Sequence, residues 1–204
     1  MSYPETISNL IECYKKLPGV GDKTAERMAL YCLDLDQEII DLFARSLSSI
    51  KTDIKRCKIC NNLTQDDICP ICKDSSRNHG IICVVEEPKN AYQLEKVGSF
   101  RGTYHILDGL ISPLDNINPE DINLESLIDR IEKEEVNEVI IAVKPSVEGE
   151  TTALYISKLL EKKKVKISKI AHGVPMGADM DYIDALTLEL ALEERKDITS
   201  STQE

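Results

Sequence analysis

The sequence predicts an α+β chain of several modules: a helical N-terminal region, a four-cysteine metal-binding segment, an α/β domain with a mostly parallel sheet, and a C-terminal helix. Three observations carry this expectation. Apolar residues recur at helical spacing as far as Ile50, and two Cys-x-x-Cys pairs follow at Cys57/Cys60 and Cys69/Cys72. From Ile81 onward, short apolar runs alternate with helical segments. Strands alternating with helices imply parallel pairing through right-handed crossovers.

Ile7, Leu10, Ile11, Tyr14 and Leu17 share one helical face. Pro18 and Gly19 stop that helix, and a second starts after Gly21 with Asp22 as its cap. Its apolar positions are Ala25, Met28, Ala29, Cys32 and Leu33. A third helix is expected from about Asp36 to Ile50, with Ile39, Ile40, Phe43, Leu47 and Ile50 turned inward. The cysteine pairs come next, and a polar linker over residues 73–80 closes the section. Residues 81–85 form a continuous apolar run, as in a strand buried on both faces. A helix near 89–97, a short strand about 104–107 and a Pro- and Asn/Asp-rich loop over 109–121 follow. Leu124, Leu127, Ile128 and Ile131 mark a further helix. A second buried strand is expected at 139–143, a helix at 151–162, a third strand at 165–171 and a last helix at 182–194. The polar tail after Asp197 is expected to fray. The implied domains are 1–53, 54–76, 80–175 and 176–204.

With 204 residues, 42% of them hydrophobic and 30% charged, the chain can bury a real core. No apolar run approaches the roughly 18 residues of a membrane span, and Met-Ser-Tyr-Pro-Glu carries no secretory pattern. The cytoplasm is the expected location. The net charge of −11 is unevenly spread: residues 1–60 hold 9 basic and 9 acidic side chains, so the excess acid follows them. A neutral N-terminal region with clustered Lys/Arg can still bind phosphates, because counterion release depends on local contacts. Of the seven cysteines, Cys13, Cys32 and Cys83 stand alone and read as small core residues.

The cysteine quartet is the strongest signal. Two Cys-x-x-Cys turns separated by eight residues can converge on one tetrahedral zinc at about 2.3 Å. Four thiolates leave no open coordination position, so such an ion is structural. Free thiols or an iron–sulfur cluster are the alternatives.

The run Leu17-Pro18-Gly19-Val20-Gly21-Asp22-Lys23-Thr24-Ala25 lies between two helices. Gly19 and Gly21 permit a tight turn whose amides, at a helix N-terminus, can face a DNA phosphate. Lys23 and Arg27 fall on one helical face, and Lys15 and Lys16 precede the turn. The pattern resembles a helix-hairpin-helix, which grips the backbone without reading sequence. A helical hairpin with solvated lysines is the alternative.

Glu86 stands at the C-terminal end of the first buried strand, the edge where open parallel sheets bind ligands. A strand-end Glu followed by acidic residues after a later strand resembles the Toprim module, in which one Glu and an Asp-x-Asp pair hold magnesium. Anchored on Gly149, the Asp-x-Asp positions fall on Lys144 and Ser146, neither a metal-binding carboxylate. Glu148 and Glu150 either join Glu86 at a metal or are solvated carboxylates favoured by a helix N-terminus. Of the histidines, His79 reads as solvated, His172 as a strand end and His105 as a structural residue.

This order of modules resembles the RecR family of bacterial recombination mediators over essentially the whole chain. The matching stretches are Cys57-Lys58-Ile59-Cys60-Asn61-Asn62-Leu63-Thr64, Cys69-Pro70-Ile71-Cys72, Tyr104-His105-Ile106-Leu107-Asp108-Gly109, Ile111-Ser112-Pro113-Leu114-Asp115 and Asn118-Pro119-Glu120-Asp121-Ile122. Val147-Glu148-Gly149-Glu150-Thr151-Thr152-Ala153 also agrees, as does Gly173-Val174-Pro175-Met176-Gly177-Ala178-Asp179-Met180-Asp181-Tyr182, which is similar to a Walker B-like motif. The chain departs from the pattern at Lys144 (usually Asn), His172 (usually Arg) and Ala178 (usually Gly), and it has no Walker A partner for ATP hydrolysis. The resemblance implies one structural zinc per chain and no catalysis. It also implies a homotetrameric ring of dimers on gapped DNA at single/double-strand junctions, at the nucleoid, and action with RecO and RecF in loading the recombinase. A magnesium-dependent Toprim nuclease using Glu86, Glu148 and Glu150 is the alternative.

Overall fold

The computed structural model describes residues 3–171 and 173–195. They form two compact units that meet in sequence between Ile54 and Lys55. His172 and the tail after Asp197 lie outside the described residues.

In the first unit, α1 (Glu5–Lys15) and α2 (Asp22–Tyr31) pack as a hairpin. The small residues Ala25 and Ala29 are buried and let the helices approach. The cap of α2 is Gly21 in extended conformation; Asp22, expected to cap, is the first helical residue and makes no capping bond. A 3-10 turn, Cys32–Asp34, leads into α3 (Gln37–Asp53). Contrary to expectation, α3 buries none of its residues, and Ile39, Phe43, Leu47 and Ile50 are exposed. Periodicity gathers apolar residues on one face but does not supply the surface that covers them. Cys13 is also exposed and Cys32 only half-buried, its sulfur 3.1 Å from the Tyr14 hydroxyl. Cys83 alone of the three lone cysteines is a core residue.

The second unit begins with a short antiparallel pair, β1 (Lys55–Arg56) and β2 (Leu63–Thr64), and a single helical turn, α4 (Pro70–Lys73). Then come β3 (Ile81–Val85), α5 (Pro88–Val97), β4 (Thr103–Ile106), α6 (Glu125–Lys133), β5 (Glu138–Ala142), α7 (Val147–Leu160), β6 (Lys166–Lys169) and α8 (Ala185–Glu193). The sheet is parallel throughout, in the order β4-β3-β5-β6. Alternation along β3 places Ile82 and Val84 in a core with Leu127 and Ile131 of α6 and Ile156 and Leu160 of α7. Cys83 and Val85 face a second core with Ala91 of α5, Tyr104 and Ile106. Burial on both faces accounts for the unbroken apolar run. The loop over 109–121 contains the 3-10 turns Pro113–Asp115 and Pro119–Asp121. Helix α7 starts at Val147, earlier than expected, because the Ser146 hydroxyl caps it by accepting from the Gly149 amide at 3.2 Å.

Two buried polar residues brace β4. The Arg130 guanidinium donates to the Tyr104 carbonyl and the Thr103 hydroxyl, each at 2.8 Å, and pairs with Glu134 at 2.9 Å. His105 is fully buried, and its Nε2 donates to the Asn123 carbonyl at 2.9 Å while Nδ1 has no partner. A carbonyl can only accept, so Nε2 carries a proton. Burial lowers its pKa to about 4; the Asn123 bond opposes the shift and the nearby Arg130 charge adds to it. His79, expected in solvent, is half-buried with Nε2 at 3.0 Å from the Asp74 carbonyl oxygen.

The His105 shift fixes a pH dependence. Between the unfolded value of 6.5 and about 4, the unfolded chain takes up a proton that the folded chain refuses. The stability from the neutral ring is complete above the upper value and declines as pH falls through the window. From pH 7 to pH 5 the wild type should lose about 2 kcal/mol more than His105→Gln, as read by urea unfolding. Equal losses would show that the ring is protonated in the fold.

Candidate functional site

The four sulfurs of Cys57, Cys60, Cys69 and Cys72 lie within 4.8 Å of one another, and all four residues are buried. Local geometry aims them. Asn61 adopts a left-handed backbone (φ 60°) and its amide donates to the Cys57 carbonyl at 2.9 Å, closing the first knuckle. Cys69 caps α4, with its sulfur accepting from the Cys72 amide at 3.5 Å, and the Cys69 amide points at the Cys57 sulfur at 3.3 Å. Amides directed at sulfur favour thiolates. Without a cation the sulfurs cannot all ionise: bonding to Cys69 pushes the Cys60 thiol up, the same bond holds Cys69 down, and bonding to Cys60 pushes Cys72 up. A dication removes that conflict, so the donor set fits a closed, four-thiolate zinc centre of structural type. Outside it, Asp67 ties β1 to the start of the first knuckle by accepting from Lys55 at 3.0 Å and Lys58 at 2.7 Å. These bonds hold its carboxyl at about 2.

The knuckle also docks on the sheet. The Cys60 carbonyl accepts from the Ile106 amide at 2.9 Å, and the Asn61 side chain donates to the Ile106 carbonyl at 3.2 Å. Asn61 also donates to the Asp108 carboxylate at 2.9 Å, which pairs with Arg56 at 2.9 Å. Ile71 of α4 packs into the second core. Arg56, Asn61 and Asp108 share no pattern in the sequence; in the structure Asn61 and Asp108 both take positive φ, 60° and 61°, a conformation that Asn and Asp tolerate better than other non-glycine residues.

At the C-terminal edge of the sheet, the ends of β3 and β5 carry Glu86 and Lys144. They are adjacent strands whose chains continue to opposite faces, the place where such sheets bind ligands. Here the Lys144 ammonium lies 3.3 Å from Glu86. Gly149 holds the intervening loop tight: a Cβ there would fall 1.9 Å from the Lys144 carbonyl oxygen. The three carboxylates named from sequence do not converge. Glu148 accepts from Ser146 at 2.6 Å, and Glu150 pairs with Lys169 at 3.1 Å. Among the described residues, the cysteines form the one cluster placed to hold a metal ion.

In the first unit, residues 17–20 make the turn, with Gly19 at φ 80° and the Val20 amide donating to the Leu17 carbonyl at 3.2 Å. Gly19, Gly21, Lys16, Lys23 and Arg27 are exposed, and the three cations have no ion pair among the described residues. Lys15 differs: it pairs with Glu12 at 3.0 Å and, across the turn, with Asp22 at 2.9 Å.

Metal analysis should return one zinc per chain. Stripping it under denaturing conditions and refolding with chelator should speed hydrogen exchange of the Ile106 amide by about tenfold or more, because its acceptor is held in place by the metal. An unchanged Ile106 rate would mean that the knuckle docks without the ion.

Sequence models of known families match in chain order: the RecR helix-hairpin-helix at residues 7–51, the RecR four-cysteine zinc finger domain at 54–74, the Toprim domain at 80–171 and the RecR C-terminal region at 173–196. The recombination protein RecR of Enterococcus faecalis is 47% identical over 198 residues, covering 97% of this chain and 100% of that protein. With its cysteine centre assembled and its modules matched end to end, the chain belongs to the RecR family of recombination proteins.

Proposed function

We propose that this protein is a DNA-binding recombination mediator in recombinational repair, without catalytic chemistry of its own. It acts in the cytoplasm, at the nucleoid, with RecO and RecF, to load the recombinase at gapped DNA and single/double-strand junctions. The observation that carries the reading is the pair of unpaired cations Lys23 and Arg27 on one face of α2, beside a glycine turn at that helix's N-terminus. First-turn amides lack intrahelical acceptors, so they and the cations suit a backbone phosphate. Lys16, Gly19 and Gly21 complete the contact.

The exposed apolar residues of α3, together with Leu186 and Leu192 of α8, support self-association into dimers and a ring tetramer. The acidic sheet edge, with Glu86, Glu148 and Glu150, is the surface for a basic partner such as RecO, where charge complementarity would speed encounter. The competing reading, a magnesium-dependent nuclease, is disfavoured by Lys144 and Ser146 at the positions where Toprim catalysis needs carboxylates. The proposed modules are 1–53, 54–76, 80–175 and 176–204.

A gel-shift on gapped duplex with magnesium, at two salt concentrations, tests this. Intact, shifted DNA is expected, bound more weakly at high salt. Lys23→Ala/Arg27→Ala should flatten the salt slope by about 1.8, two lost phosphate contacts. DNA cut by the wild type but not by Glu86→Gln would replace the mediator with an enzyme.

A further inference from the structure

The glycine turn carries a carboxylate where a phosphate contact needs positive charge. Asp22 is the first residue of α2, adjoining the turn and followed at once by Lys23. Its side chain makes no capping bond. Instead it reaches back across the turn to Lys15 at 2.9 Å, and Lys15 is held on its other side by Glu12 at 3.0 Å. Of the four basic residues around the hairpin, Lys15 is therefore the one already neutralised.

We propose that the Lys15–Asp22 ion pair is an internal competitor for DNA at the hairpin: the Asp22 carboxylate takes the place of a phosphate on Lys15 and withholds that cation from the backbone. This inference rests on the hairpin being the DNA contact. The chemistry is an exchange of anions. The positive end of the helix dipole favours the Asp22 charge as it favours a phosphate. Lys15 can partner either one. An incoming phosphate must displace Asp22 from Lys15 and tolerate its charge nearby. Asp22 is largely exposed and Lys15 partly so. An exposed pair of this kind is weak, so the competitor tunes affinity without abolishing it. The consequence is a clamp with low intrinsic grip, which depends on several copies or partners to hold DNA.

The test is fluorescence anisotropy of the full-length protein on gapped duplex across a salt series. The variants are Asp22→Asn, Asp22→Asn/Lys15→Ala and Lys23→Ala, with Asp22→Ser as a second neutral replacement should the asparagine variant misfold by circular dichroism. Asp22→Asn is expected to bind about fivefold tighter. Its salt slope should steepen by about 0.9, one added phosphate contact. In the double variant the slope should return to the wild-type value. If Asp22→Asn and Asp22→Ser bind no tighter than wild type while Lys23→Ala weakens binding, the competitor is refuted and the DNA contact stands. A slope that stays steep in the double variant refutes the role of Lys15. If neither wild type nor Asp22→Asn binds DNA, the hairpin contact itself falls, and this proposal with it.

Discussion

The hydrogen bond from the Ile106 amide to the Cys60 carbonyl is the joint on which the second unit depends. Strand β4 lies at the edge of the sheet, and an edge strand presents unpaired amides and carbonyls that invite other chains. The metal knuckle covers that edge with its own backbone and with the Asn61 side chain. From the same joint Arg56 reaches Asp108, and Ile71 enters the second core. A segment too small to fold on apolar burial thus takes its stability from zinc and transmits it to a sheet with none of the metal's ligands. The β6 edge is protected differently: lysines stand at both its ends, a charge device that discourages strand addition.

The sheet edge illustrates how a fold can be kept while its chemistry is not. Glu86 stands where a Toprim enzyme would ligate magnesium, but its cation is the tethered ammonium of Lys144. Asp108, whose amide donates to the Glu86 carbonyl, has Arg56. The loop geometry that Gly149 permits is retained, so the architecture of the edge survives while Glu86 and Asp108 are paired from within. Function has to be argued from such residues and not from the fold name.

Much of this was legible in the sequence. The Cys57, Cys60, Cys69 and Cys72 spacing named the metal centre because knuckle geometry is local. The run at Ile81–Val85 named a doubly buried strand because no polar residue interrupts it. Asp22 and α7 were misread at their helix starts, where one residue's hydrogen bond decides the boundary. The outward face of α3 escaped because helical spacing tells which residues stand together and not what lies against them. Lys15 looked like its neighbours, since Asp22 meets it only once the hairpin closes, while Glu12 pairs with it inside α1 at i,i+3 spacing. Asn61 and Asp108 meet across a sequence separation of 47, beyond the reach of any local pattern.

The knuckle's docking partner also sets an order in time. Cys72, the last of the four thiols, precedes Ile106 by 34 residues, so at about 5–20 residues per second the ribosome needs roughly 2 to 7 seconds to deliver β4 after the finger is complete. Through that interval the finger has no sheet to lean on. Zinc captured early gives the emerging chain a folded template waiting at the tunnel exit, onto which the edge strand can close as it appears.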